Sequence, residues 1–580
     1  MAPSGDLTGK YPAKYHVERT FETLFGSLSA ELKSKPQAIF LAGGTTPYRN
    51  DTDRELPFRQ ESNFFYLTGC TVPGSFFLAV SDPTSTSLRT TLYIFEPTIV
   101  DLLWSPAPPT LEEARGMYDV NEVLHPTSLA DALGSLQPGT IVHVLPQTGQ
   151  FPSVFISEVG EAAKGIPTID AHLLNALHKT RLIKDDYEIA MIRKANDISS
   201  RAHEVVMRVL GMAVQGKIKK SGGPAVPGEW LIEKEAEAEA IFVASCRREG
   251  AIHQAYLPIV AASTRASTLH YCCNDRAFAW GPVNPRDAAN IGTFAHDHGH
   301  AHEEDEKQLS PQVLLIDAGC EWDCYSADIT RTMPVGNNGK FTKEAKEIYN
   351  LVLKMQTESF KIVRPGTHWD DVQLLCHRVL VEGFLDLGIF KDPSPTVQAA
   401  NGHATTQSTP KPRDHLVQEI LRTGLSAAFF PHGVGHSLGM DVHDVPSASR
   451  PLGSGIYFAD AGVDAGGKGG HKDFYKNLRL RLKLEAGMVV TIEPGAYFHP
   501  ALLTSYEIHS SPHIDPAVLA KYEGMGGVRI EDDVLITEVD EGVTTEERTE
   551  GNGGRWNGCE NLTTVRSEVG WVERICAGEE

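Results

Sequence analysis

Between Tyr15 and Ala176 the apolar residues gather in short runs, "AIFLAGG", "SFFLAVS", "TTLYIFEP" and "TIVHVLP", separated by helix-like stretches such as "LEEARGMYDVNEVL". Short apolar runs bounded by turn residues predict strands, and their alternation with helical segments predicts an α/β domain. At Arg181 the pattern changes. In "RLIKDDYEIAMIRKANDISSRAHEVVMRVL" Ile189, Ile192, Ala195 and Ile198 recur at helical spacing with charges between them, which predicts a long amphipathic helix opening a second domain. The expected division is therefore 1–180 and 181–580, and a chain of 580 residues is too long for one core of ordinary size. Within the second part Arg276–Gln308, Asn401–Asp414 and Ser447–Lys472 are polar and turn-rich with no sustained period, so they are expected as inserted surface loops.

Composition narrows the class. With 41% hydrophobic and 22% charged residues the chain can bury a sizeable core. A net charge of −22, from 53 Lys and Arg against 75 Asp and Glu, would repel phosphate backbones and anionic lipid, so neither nucleic acid nor a membrane surface is an expected partner. No apolar run approaches the ~20 residues that a membrane span needs, and the start "MAPSGDLTGKYPAKYHVERTFETL" lacks a secretory hydrophobic centre. A cytoplasmic location is expected. Nine cysteines, odd in number and thinly spread, do not form a disulfide framework and fit a reducing compartment.

The strongest chemical signal is "VLLIDAGCEWDCYSADITRTMPVG", Val313 to Gly336. Two strand-like runs flank Trp322-Asp323, and a tight loop there would set Asp317 directly opposite Asp328, with Cβ atoms about 4.5–5.5 Å apart. Like charges so placed are destabilising unless protons or cations neutralise them, and a bound metal resolves the conflict. Register is hard to fix from sequence, so the pair alone leaves open that one aspartate faces solvent. In the same hairpin Cys320 and Cys324 fall on opposite faces, which argues against a thiolate zinc site.

Further candidates follow along the chain. "FFPHGVGHSLGMDVHD" interleaves His432, His436 and His443 with Gly433, Gly435 and Gly439, and glycine lets the backbone turn sharply enough to aim imidazoles into a site. Glu493 in "GMVVTIEPGAYF" and Glu531 in "GGVRIEDDVLIT" are acids at strand-like positions in apolar surroundings, where a carboxylate is rarely buried without a partner. "GTFAHDHGHAHEEDEKQ" also has the composition of a metal tract, with His296, His298, His300 and His302 at alternate positions. Its acidic run and lack of apolar partners predict instead a solvated insertion that supplies no ligand to the catalytic centre.

Together "LIDAGCEWDCYSADITRT", "HGVGHSLGMDVHD", "TIEPGAYF" and "VRIEDDV" resemble the pita-bread metallopeptidases, in the branch of Xaa-Pro aminopeptidases and prolidases, and "YRNDTDRELPFRQESNFFYLTG" resembles the accessory domain of that branch. The resemblance implies an α/β (α+β) architecture, a pita-bread catalytic domain preceded by a smaller creatinase-like α/β domain. Carried over position by position, it implies two divalent metals: Asp317 binds one, Asp328 and Glu531 bridge both, and His436 with Glu493 completes the other. One imidazole and four carboxylates form an oxygen-rich set that suits manganese and leaves cobalt, iron or zinc open. Also implied are Glu493 as proton shuttle, His270 (in "STLHYCCND") and His443 as contacts to substrate, Arg529 as the group that tunes Glu531, and His432 behind the ligands. The implied activity is release of the amino-terminal residue from peptides with proline second. A prolidase is the alternative. A metal-free binding protein of the same fold fits less well because none of the five ligand positions is lost, and homo-oligomerisation stays open.

Overall fold

The apolar runs of the amino-terminal part form one six-stranded sheet, in the order Glu122–Leu124, Leu88–Tyr93, Phe76–Ser81, Gln37–Ala42, Ile141–His143, Thr168–Ile169. The computed structural model describes residues 5–81, 88–154, 167–219, 223–224, 226, 229–230, 232–278, 309–393, 411–458, 469–540, 542 and 554–580. Gln37–Ala42 is buried along its whole length, as an unbroken apolar run predicts for a central strand. It pairs antiparallel with Phe76–Ser81 and parallel with Ile141–His143. Ala38, Phe40, Phe76, Leu78, Tyr93, Leu129 and Val142 pack as one core on this sheet. The stretch "LEEARGMYDVNEVL" is helical only at its start: Leu111–Met117 is a helix closed by a Thr110–Glu113 capping box. Its end is the strand Glu122–Leu124, where the β-branched Val123 pairs with Leu92.

The chain divides into two compact units, one of Met1–Ile192 with Asp323–Tyr325 and Gly439–Ala448, the other of the remaining residues. The predicted amphipathic helix is Asp186–Val214, and the division falls inside it. In the first unit the buried Arg181 donates to Asn63 Oδ1 (2.7 Å), Asp441 Oδ2 (2.8 Å) and Asp444 Oδ1 (2.6 Å), which ties the Gly439–Ala448 segment down by charge-assisted bonds.

In the second unit Thr330–Val335, Gln312–Asp317 and Ile259–Ala262 form an antiparallel three-stranded sheet. Val489–Ile492, Asp532–Ile536, Cys559–Asn561 and Arg555–Trp556 form a four-stranded one, and Gly495–Tyr497 pairs with Gly527–Arg529. Single bridges join Thr330 to Glu531 and Ser437 to Val490. From the helix Lys343–Ile362 the buried Gln356 reaches the Ile492 carbonyl (3.3 Å), so the helix braces the strand end that leads into Glu493.

The aspartate hairpin differs from the expected register. Its two-residue loop is Asp323–Cys324, with φ of 44° and 66°, and Asp317 stands opposite Thr330. A tight loop of this kind needs positive φ at both positions, which aspartate tolerates and tryptophan does not. Trp322 accordingly stays in the strand, with Lys194 Nζ 5.2 Å from its ring centre. The register moves by two residues, and a shift of two preserves the face, so Asp317 and Asp328 remain on one side as diagonal rather than direct neighbours. Cys324 is a loop residue instead of a strand residue on the opposite face, and all nine cysteines are free thiols.

Of the three expected insertions, 279–308, 401–410 and 459–468 lie outside the described residues, and the histidine-rich tract lies there too. At their margins, helix Arg413–Thr423 begins inside the second segment, and helical turns Pro446–Ser449 and Lys472–Phe474 bound the third. Among the described residues no helix is long and apolar enough to cross a membrane.

Candidate metal centre

Asp317 ends the strand Gln312–Asp317, and the Tyr256 hydroxyl lies 2.5 Å from both Asp317 Oδ1 and Asp328 Oδ1. The Asp328 amide donates to Asp533 Oδ2 (2.9 Å), which fixes the backbone from which that carboxylate projects. His436 follows Gly435, where a Cβ would collide with the Thr491 carbonyl, so only glycine allows this approach. The approach places the His436 amide 3.2 Å from Thr491 Oγ1, and the Thr491 amide donates to the His436 carbonyl (2.9 Å). His436 Nδ1 faces the Ser437 carbonyl at 3.1 Å and therefore carries the proton donated there. Nε2 is left aimed at Asp328 Oδ2 (3.3 Å) and Glu493 Oε1 (3.8 Å).

Glu493 directly follows Val489–Ile492 and is held by its amide bond to the Val434 carbonyl (2.8 Å). Glu531 sits between Gly527–Arg529 and Asp532–Ile536 at the bridge to Thr330, whose hydroxyl donates to Glu531 Oε2 (2.7 Å). Ligand-type atoms of Asp328, His436 and Glu531 all lie within 4.8 Å of one another.

Two observations fit this cluster to a cation. A phenol has one proton, so Tyr256 can donate to only one of the two aspartates at 2.5 Å, and the close approach of both carboxylates demands a further positive charge. Among the described residues buried Glu531 Oε1 has no hydrogen-bond partner, an arrangement costly for a carboxylate unless a metal or a proton takes the lone pair. For the side chains alone the same demand falls on protons. Burial, opposed by Arg529 and reinforced by Asp328, lifts Asp317 to about 6. Burial lifts Glu493 to about 7 and pushes Glu531 well above the carboxylate range. Burial opposes a charge on His436, but the hydrogen bond to Asp328 and the charge of Glu493 outweigh it and raise the imidazole to about 9.

Arg529 reaches Glu531, whose pKa its charge lowers, and it bonds more closely to Asp317. Its Nη2 donates to Asp317 Oδ2 (2.5 Å), its Nε to Thr330 Oγ1 (3.1 Å) and its Nη1 to the Tyr497 hydroxyl (2.9 Å), whereas Glu531 Oε2 is 4.0 Å away. Asp317 is its closest carboxylate because Asp317 stands beside Thr330, which Arg529 also grips. His432 Nε2 meets the Tyr497 hydroxyl (2.8 Å), and its Nδ1 lies 3.6 Å from Glu493 Oε2. His270 sits on a turn with much of its surface open to solvent, and its pKa is lowered first by the partial loss of hydration on its inner side and then by the charges of Arg529 and Arg479. His443 is exposed on the Gly439–Ala448 segment, which belongs to the first unit.

Thr330, Tyr497 and Asp533 lie inside the quoted motifs without being singled out there, and Tyr256 lies outside them all. The one available signal is polarity within apolar context, as for Tyr256 just before "LPIVAA". Tyr256→Phe removes the proton shared between two aspartates, and we expect kcat to fall by about tenfold to a hundredfold, as for groups that orient metal ligands. Steady-state kinetics and metal content of that variant check this, and unchanged values would exclude an orienting role.

Residues 190–538, well over half of the chain, match metallopeptidase family M24. The chain belongs to that family. Residues 16–142 match the aminopeptidase P N-terminal domain, so this M24 protein carries an aminopeptidase P-type domain ahead of a pita-bread catalytic domain. It is 36% identical to a probable Xaa-Pro aminopeptidase of Verticillium alfalfae over 571 residues, 98% of each chain. It is 34% identical to a probable Xaa-Pro aminopeptidase of Aspergillus fumigatus, again over 98% of each. Among solved structures, the low-pH form of Escherichia coli aminopeptidase P superposes with a TM-score of 0.64 at 24% identity, covering 99% of this chain and 100% of that one. A zinc-substituted form of the same enzyme in complex with product gives 0.63 at 24% identity, with the same coverage. These structures bear on the fold, which is the mixed α/β arrangement that the motifs implied.

Proposed function

We propose that this M24 protein is a Xaa-Pro aminopeptidase that hydrolyses the bond between an amino-terminal residue and a penultimate proline. The observation that supports this most is the cluster of Asp328, His436 and Glu531, with Asp317 linked to Asp328 through Tyr256 and Glu493 Oε1 3.8 Å from His436 Nε2, in a chain whose full-length relatives are named for that activity. These five side chains would hold two divalent ions, with manganese the choice for an oxygen-rich donor set. Such a pair lowers the pKa of water and polarises the scissile carbonyl.

The chain's own residues supply the rest. His436 presents Nε2 because Nδ1–H is spent on the Ser437 carbonyl. Arg529 keeps Asp317 oriented through a buried ion pair. Glu493, which is only half-buried at the edge of the cluster, would take a proton from the attacking water and return it to the proline nitrogen. His270 would meet the substrate. The reading takes 1–180 as the accessory domain, 181–580 as the catalytic domain, and small peptides of the cytoplasm as substrates, in keeping with nine free thiols.

Metal uptake should depend steeply on pH. Protons on Asp317 (about 6), Glu493 (about 7) and His436 (about 9) compete with metal, so raising pH through these values removes competitors and strengthens binding. Calorimetry of chelator-treated protein in buffers of different ionisation enthalpy should show proton release between pH 6 and 9; no proton release would contradict the ligand set. The substrate test compares kcat/KM for Ala-Pro-Ala and Ala-Pro with manganese present. Preference for the tripeptide is expected, since only a site open beyond proline gains contacts there. Cleavage of the dipeptide alone would make the enzyme a prolidase.

A further inference from the structure

Glu235 is a fully buried carboxylate to which the mechanism assigns no role. It is the first residue of the helix Glu235–Arg248, and it accepts four hydrogen bonds, one from the end of the strand Ile259–Ala262 and three from the loop that follows. Oε1 accepts from the Ala262 amide (2.8 Å) and Arg265 Nε (2.7 Å), and Oε2 from the Tyr271 hydroxyl (2.8 Å) and the Arg276 amide (3.3 Å). The Glu235 amide returns a bond to the Arg276 carbonyl (3.0 Å). Burying a charge is costly unless it is paired and fully bonded, and here the loop supplies both the cation and the remaining donors.

The position of those donors is informative. Arg265 precedes His270 in the loop, while Tyr271 and Arg276 follow it, so one carboxylate grips both arms of the turn that carries the imidazole. Asn274 adds a second clamp, accepting from the Val260 amide (2.9 Å) and donating to the Pro258 carbonyl (2.6 Å). The base of the loop rests on the strand bearing Arg529. Gly526 and Gly527 lack the Cβ that would collide with the Ser263 and Ala266 carbonyls. Arg529 on that strand donates to Asp317, so the loop that carries His270 is joined to the cluster through packed backbone. A loop held only by its ends would let an exposed imidazole wander, and a functional group gains from rigid support.

We propose that Glu235 is a positioning residue for His270, fixing where and at what angle the imidazole meets the substrate through its bonds to Arg265, Tyr271 and Arg276. This rests on the reading of His270 as a substrate contact. Glu235→Gln keeps the shape but turns an NH₂ donor toward groups that are themselves donors, and Tyr271→Phe removes one bond at the half-buried edge with little risk to folding.

The test is a double-mutant cycle on the manganese-loaded enzyme with Ala-Pro-Ala. The variants are E235Q, Y271F, H270A and each of the first two combined with H270A, with bound metal and Tm measured for all. E235Q should lower kcat/KM by about tenfold and Y271F by about threefold, with metal content unchanged, because a small misplacement of a contacting group costs rate. H270A should cost more than either. Once His270 is absent, adding E235Q or Y271F should cost less than about twofold, the mark of residues that act through one another. Equal losses in the presence and absence of His270 would overturn the inference and make Glu235 a brace of the fold. So would wild-type rates in both single variants. Wild-type kcat/KM in H270A would instead remove the reading of His270, and the inference with it.

Discussion

Asp328→Asn is expected to abolish turnover and to leave fewer than two metal ions per chain. Asp328 meets Tyr256 and His436 through its carboxylate and Asp533 through its amide, so it occupies the middle of the cluster. In the assignment that the family resemblance implies it would serve both ions, and the amide removes its negative charge while keeping its shape. Loss of one ion removes several kcal/mol of transition-state stabilisation, or at least about a thousandfold in kcat. Turnover and elemental analysis on the same preparation check this. Full activity with both ions retained would exclude Asp328 as the bridging ligand.

Arg529→Met should have the second largest effect. The guanidinium is buried and bonded to Asp317, Thr330 and Tyr497, and its removal leaves Asp317 without its cation. Removing one partner of a buried pair costs about 3–5 kcal/mol of stability, and with Asp317 no longer oriented we expect kcat to fall by about a hundredfold. The stability loss should depend on pH. Asp317 is already lifted to about 6 with the arginine present, and it rises further without it. At pH 5 a proton replaces the missing cation at little cost, whereas at pH 8 folding must recruit that proton from dilute solution. The deficit relative to wild type should therefore be small at pH 5 and grow toward pH 8. Denaturant unfolding of chelator-treated protein at both values measures this, and an equal deficit at the two would show that Arg529 does not compensate Asp317.

The acids and imidazoles of the cluster were legible because polar residues in apolar strands are conspicuous, and the family motifs ordered them. The face shared by Asp317 and Asp328 was legible too, since a strand repeats every two residues and a register error of two leaves the face intact. The loop position was not, because it turned on which of Trp322, Asp323 and Cys324 adopt positive φ. Tyr256 is silent in the sequence for a different reason. It lies 61 residues before Asp317, and only the pairing of Ile259 with Asp317 carries it to the aspartates. The resemblance pairs Arg529 with Glu531, and its long side chain also reaches Asp317, a contact that sequence spacing does not show. Glu235 reads in sequence as one acid among several in "EKEAEAEA", and its role emerges only when the loop closes on it.

The most direct measurement titrates chelator-treated enzyme with manganese while following bound metal and the products of Ala-Pro-Ala in the same samples. The expected result is no turnover without metal, a rise that levels off at about two ions per chain, and alanine with Pro-Ala as the products. Undiminished turnover in the absence of metal, or cleavage on the far side of proline, would contradict a dinuclear Xaa-Pro aminopeptidase.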